Sequence, residues 1–167
     1  MNTAFSWAPV VRFGTMNRSL SCQVEQLSSA KPAAIYDLLM SVERWSQFLP
    51  GVSDASWERR GEPDTERGGI RRMRIGHSVI RDTIVDGTRP HHHAYVASFP
   101  WYTPLKDYRG DIRIEDCPDG SRIIWTVTFA PRIPGLPKNL IKSRIGASYA
   151  RLAAALAREA EGATRME

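Results

Sequence analysis

The chain has 167 residues and a mass of 18.8 kDa, enough for one domain with its own core and little room for a second. Its 42% hydrophobic and 25% charged residues are the mix of a globular chain, which excludes disorder, collagen and coiled coil for the whole, and no apolar run approaches the roughly 20 residues of a membrane-spanning helix. The net charge is +5, and a basic balance raises a nucleic-acid or anionic-membrane reading that the residue pattern must decide.

Residues 1–18 lack clear periodicity and are expected to form a loose tail, with Met16 an alternative start. The N-terminus has no basic segment followed by an apolar one, so it is not a secretory signal. Leu20, Cys22, Val24 and Leu27 alternate with polar residues and predict a half-buried strand over 19–28. Ser29 then reads as a helix cap and Pro32 as a first-turn residue. Ile35, Leu38 and Leu39 give a short amphipathic helix over 32–41, and a second short helix follows at 43–48, stopped by Pro50-Gly51. Six strands come next, at about 52–60, 69–76, 79–86, 93–99, 108–116 and 121–130, divided by Gly- and Pro-containing breaks. In the last strand Ile123, Trp125, Val127 and Phe129 share one parity while Arg122, Thr126 and Thr128 share the other, the signature of an antiparallel sheet with one wet face. A helix of about 25 residues closes the chain, with Leu136, Leu140, Ile145, Tyr149, Leu152 and Leu156 on one stripe. Residues 163–167 read as a C-terminal tail.

Cys22 and Cys117 lie in strand-like segments and form no C-x-x-C or Cys/His pattern. Buried free thiols are expected rather than a zinc site or a disulfide, which favours a reducing cytoplasm.

Ala30-Lys-Pro-Ala-Ala-Ile-Tyr-Asp-Leu-Leu39, Val42-Glu-Arg-Trp-Ser-Gln-Phe-Leu-Pro-Gly51, Tyr108-Arg-Gly110, Gly120-Ser-Arg-Ile-Ile-Trp-Thr-Val-Thr-Phe129 and Leu152-Ala-Ala-Ala-Leu156 together resemble the START/birch-allergen superfamily (SRPBCC), nearest its polyketide cyclase/dehydrase-like subgroup. The resemblance spans residues 19–162. It implies an α+β helix-grip fold: a seven-stranded curved antiparallel sheet around a long C-terminal helix, with two short helices after the first strand. It also implies a cavity between sheet and helix that takes a lipid, polyketide or aromatic molecule.

Strand and helix parity supply candidate cavity residues: Met73, Ile75, Ile84, Tyr95, Phe99, Tyr108, Ile112, Trp125, Val127, Phe129, Tyr149 and Leu152. An apolar lining with a few polar groups suits a small apolar or aromatic ligand, although the same side chains also suit a filled core. Asp82 shares parity with Ile80 and Ile84, so it is a candidate inward carboxylate with an arginine of the preceding strand as its partner. Arg72 and Arg74 are candidate polar anchors, and Asp82 and His77 candidate acid/base residues. His91-His92-His93 is expected to be an exposed turn rather than a metal site, since consecutive residues on an extended chain point to opposite sides. No cofactor or metal is expected.

Three functions follow as expectations: a small-molecule-binding protein; alternatively a polyketide cyclase or dehydratase using cavity acid/base groups; and third, a nucleic-acid or stress-associated interaction module. The 19 Arg and 4 Lys are scattered along the chain and interleaved with acids, so the charge reads mostly as solvated surface and nucleic acid is not expected as partner. Oligomeric state is not legible.

Overall fold

The computed structural model describes residues 8–16 and 19–164. Its elements are β1 (Val10–Met16), β2 (Ser19–Ser28), α1 (Pro32–Met40), a short 3₁₀ turn Val42–Arg44 running into α2 (Trp45–Phe48), β3 (Val52–Arg59), β4 (Ile70–Ile75), β5 (Ser78–Thr88), β6 (His92–Ser98), β7 (Leu105–Cys117), β8 (Gly120–Pro131) and α3 (Lys138–Thr164). The strands form one antiparallel sheet in the order β1-β2-β8-β7-β6-β5-β4-β3.

Eight strands replace the seven expected, because β1 occupies part of the expected tail. β1 pairs with β2 at the sheet edge, and Val10 and Phe13 are half exposed there. An edge strand wet on both faces has no clean two-residue alternation, so the pattern hid it. Gly146 of α3 is buried against Phe13 and Val11, leaving no room for a Cβ. Residues 1–7, 17, 18 and 165–167 of the two expected tails lie outside the described residues, and residue 164 still belongs to α3.

β2 buries every second residue, with Leu20, Cys22 and Val24 at the base of the core. α1 starts with Pro32 in its first turn, but the cap is Lys31 and carries no side-chain bond. Ser29 instead offers its backbone N–H to Glu161 Oε1 of α3 at 3.0 Å, and Ser28 Oγ donates to Glu161 Oε1 at 3.1 Å. These bonds pin the C-terminal half of α3, where Ala153, Leu156, Ala157 and Ala160 are buried. Small residues let the helix sit close on the sheet there. At its middle α3 carries the larger Tyr149 and Leu152, both half-buried. Leu140, expected on the inward stripe, is 50% exposed. Cys22 is buried and Cys117 half-buried, and both are free thiols. Burial pushes the Cys22 thiol up to about 11.

Candidate functional site

Where α3 stands off the sheet, a narrow cavity of about 80 Å³ opens. It is lined by Leu39, Trp45, Leu49, Val52, Arg71, Met73, Ile75, Ile80, Asp82, Tyr95, Ala97, Phe99, Tyr108, Trp125, Tyr149, Leu152 and Leu156. Counted with its open mouth, the space is about 650 Å³. Ile75, 39% exposed, and half-buried Phe99 stand where β4 and β6 end, beside the turns at residues 76–77 and 100–104. The mouth is at that end of the sheet.

Eight of the twelve cavity residues expected from sequence line this space: Met73, Ile75, Tyr95, Phe99, Tyr108, Trp125, Tyr149 and Leu152. The other four, Ile84, Ile112, Val127 and Phe129, face the same side of the sheet but are sealed in the core, each at most 1% exposed. They belong to the buried core between the sheet and the helices, Phe129 stacked on Tyr108.

The polar end of the cavity is built around Arg71. Its Nε donates to Asp82 Oδ2 at 3.0 Å, and its Nη1 donates to His93 Nε2 at 3.0 Å. Arg71 and Asp82 sit directly opposite each other on β4 and β5 and are 2% and 3% exposed. The guanidinium is held between two rings, 4.5 Å from the centroid of Trp45 and 4.7 Å from that of Tyr95. Stacking of this kind adds about 0.5–2 kcal/mol per ring. Arg72 and Arg74, the expected anchors, point to the other side of the sheet. Arg72 pairs with Asp54 at 2.8 Å, and Arg74 is exposed. The parity that places Met73 and Ile75 inward places Arg71 inward with them, so the signal was available in the sequence. His77 is exposed in the β4–β5 turn and does not line the cavity.

His93 is fully buried, contrary to the expected exposed turn, because it shares parity with Tyr95 on β6. The three histidines separate. His91 Nδ1 meets the carbonyl of Ile114, His92 Nε2 bonds Asp111, and His93 meets Arg71. Among the described residues, no three metal-ligating side chains cluster. An arginine only donates, so His93 Nε2 accepts and the ring is the neutral tautomer protonated at Nδ1. Burial, then the Arg71 and His92 charges, hold its pKa well below the usual 6.5. Burial raises the Asp82 carboxyl above the ordinary range, opposed by Arg71.

The neutral state of His93 makes stability pH-dependent. The unfolded chain binds a proton on this ring near the ordinary 6.5 and the folded chain does not. Stability from this residue is therefore full above that pH and falls below it, by up to about 1.4 kcal/mol per pH unit. Urea unfolding of the protein and of His93→Gln from pH 7 to pH 5 checks this. The slope is expected to be shallower in the variant, and equal slopes would remove His93 from the account.

Beyond Arg71 the aromatic hydroxyls form a chain. Trp125 Nε1 donates to Tyr95 Oη at 3.2 Å, and Tyr95 Oη meets Tyr149 Oη at 3.3 Å. Tyr149 packs edge-on to Trp125 and stacks on Tyr108. Burial raises all three tyrosine pKa values well above 10, so these groups remain neutral hydrogen-bonding hydroxyls at physiological pH. Gly110, directly opposite Tyr95 on β7, makes room for the Tyr95 ring.

A curved antiparallel sheet, a long helix across it and a cavity between them define a helix-grip protein. The family described as polyketide cyclase / dehydrase and lipid transport matches residues 19–161, and the chain belongs to it. A START superfamily protein from Mycobacterium smegmatis has a similar structure, with a TM-score of 0.68 at 16% identity over 87% of this chain and 99% of that one. Ara h 8.0201 gives 0.66 at 16% identity over 89% and 99%, and CalU16 from Micromonospora echinospora gives 0.63 at 11% identity over 95% and 87%. These identities establish the shared fold. No curated protein matches the sequence at a significant level. No helix among the described residues is long and apolar enough to cross a membrane.

Proposed function

We propose that the protein binds a slender apolar or aromatic molecule in the cavity, with one hydroxyl or carbonyl end against the Tyr149–Tyr95–Trp125 chain. The observation that carries this reading is the lining itself: apolar walls from β3 to β8 and α3, converging on neutral hydroxyls and a buried ion pair. Such a lining fixes orientation through a few polar groups. Tyr149 and Leu152 are half-buried on α3, so a ligand larger than the resting space enters by turning them aside. The family's description supports a ligand of this class. Two free thiols fit a reducing compartment, and a cytoplasmic site of action is part of this reading.

Competition of 2-naphthol and naphthalene against a fluorescent apolar probe tests the placement. Tyr149→Phe is expected to weaken 2-naphthol by about 2- to 10-fold, the worth of one hydrogen bond, and to leave naphthalene unchanged. Equal effects on both compounds, or no displacement of the probe by either, would count against it.

One observation favours a second reading, the cyclase or dehydratase. Asp82 lines the cavity with a raised pKa, and the tyrosine hydroxyls beside it are placed to hold a carbonyl oxygen. In that chemistry Asp82 takes the proton next to the carbonyl. His77 has no part in it from its turn. Asp82→Asn with unchanged turnover of a candidate polyketone would remove this reading.

A further inference from the structure

The aromatic tip beside the mouth has no role in the cavity. Trp101 is 82% exposed and Tyr102 57%, and their rings meet edge-on at 6.0 Å. They are held outward on a braced loop. Thr103 Oγ1 donates to the Pro100 carbonyl at 2.7 Å, and Arg132 donates from its Nε to the Thr103 carbonyl at 3.0 Å and from its Nη2 to the Leu105 carbonyl at 3.1 Å. That bracing brings Ile133, 54% exposed, to the same end of the sheet. Phe99 of the cavity wall is two residues from Trp101.

Part of the surface charge is paired and part is not: Arg59, Arg151 and Arg158 have no carboxylate partner among the described residues, while Arg12, Arg44, Arg60, Arg67, Arg81 and Arg89 each pair with one. Lys106 and Arg132 flank the loop and Lys138 opens α3 just beyond it, and none of the three has a carboxylate partner among the described residues. From Ala130 to Lys138 the chain carries Arg132 and Lys138 and no Asp or Glu. Asp107 is the acidic residue of the β7 start.

We propose that this tip docks on an anionic lipid bilayer, with Trp101 and Tyr102 in the headgroup region and the basic residues over acidic phosphates. Amphipathic aromatics and unpaired cations are the combination that an interface holds, each cation near the surface adding to the attraction. Docking there turns the mouth toward the lipid, so the cavity exchanges an apolar ligand with the bilayer. The ligand exchange rests on the cavity reading above; the docking stands on the tip alone.

Sedimentation with phosphatidylcholine vesicles and with mixed phosphatidylcholine/phosphatidylglycerol vesicles tests it. The full chain is expected to bind the mixed vesicles, more weakly as salt rises, and to ignore the neutral ones. Trp101→Ala with Tyr102→Ser is expected to weaken that binding about tenfold or more, since most of the apolar contact is lost, while 2-naphthol binding and Tm stay unchanged. Lys106→Glu together with Lys138→Glu is expected to abolish it with the aromatics intact. No binding to the mixed vesicles, undiminished binding by the aromatic variant, or a concentration-dependent dimer that this variant abolishes would overturn the docking. Vesicle binding without any 2-naphthol binding would instead overturn the cavity reading and leave the docking in place.

Discussion

Arg71→Met is expected to lower the free energy of unfolding by about 3–5 kcal/mol, because it leaves Asp82 as a buried charge without its partner. The substitution keeps much of the side chain's volume, so the loss comes from electrostatics rather than from a hole. It also takes the donor from His93 Nε2 and the cation from between Trp45 and Tyr95. The cost comes mainly from the uncompensated carboxylate. Removing that carboxylate too, in Arg71→Met with Asp82→Leu, is expected to restore most of the loss, since an apolar pair of similar size often equals a buried ion pair. Urea unfolding of the two single variants and the double variant gives the coupling directly. If the double variant is as unstable as the sum of the singles, the pair does not carry the stability assigned to it.

Gly110→Ala is expected to destabilise the protein by about 1–3 kcal/mol and to break the hydroxyl chain of the cavity. A Cβ built on Gly110 clashes with the hydroxyl edge of the Tyr95 ring, striking Cζ and Cε1, with Oη at 2.5 Å. Both residues sit at directly opposite positions of β6 and β7, so neither backbone can retreat without disturbing the ladder. The ring has to leave the position from which Tyr95 Oη accepts from Trp125 and meets Tyr149. In a Tyr95→Ala background the same glycine change is expected to cost far less, because the atoms it strikes are gone. An equal cost in both backgrounds would show that the glycine answers some other need.

Much of the architecture was legible in the sequence because alternation and helical stripes are strong where one face is buried. The strand over 19–28, the first helix and the six later strands fall at or near their expected positions. β1 escaped because its edge position leaves both faces partly wet. The cavity was legible as a surface but not in extent. Parity tells which face a residue is on, and it does not tell how near α3 comes to that face. Where the helix lies close, as at Gly146, Ile112 and Val127 are sealed in the core; beside Tyr149 and Leu152, Tyr95 and Trp125 are wall. The sequence offers Arg71 only as one of three arginines able to partner Asp82, and reads His93 as exposed, for a different reason. A charged or ionisable residue among polar neighbours looks like surface, and only the register of Arg71 against Asp82 and the ring stacking show what makes its burial tolerable.

The central claim is that a ligand's polar end meets the Tyr149–Tyr95–Trp125 chain. The indole N–H signals of the tryptophans during a 2-naphthol titration test it most directly, with Trp125 assigned by Trp125→Phe. The Trp125 signal is expected to shift most, since its N–H bonds to Tyr95 Oη, while that of exposed Trp101 stays in place. A Trp125 signal unmoved at saturation, with the Trp101 signal shifting instead, would contradict the claim.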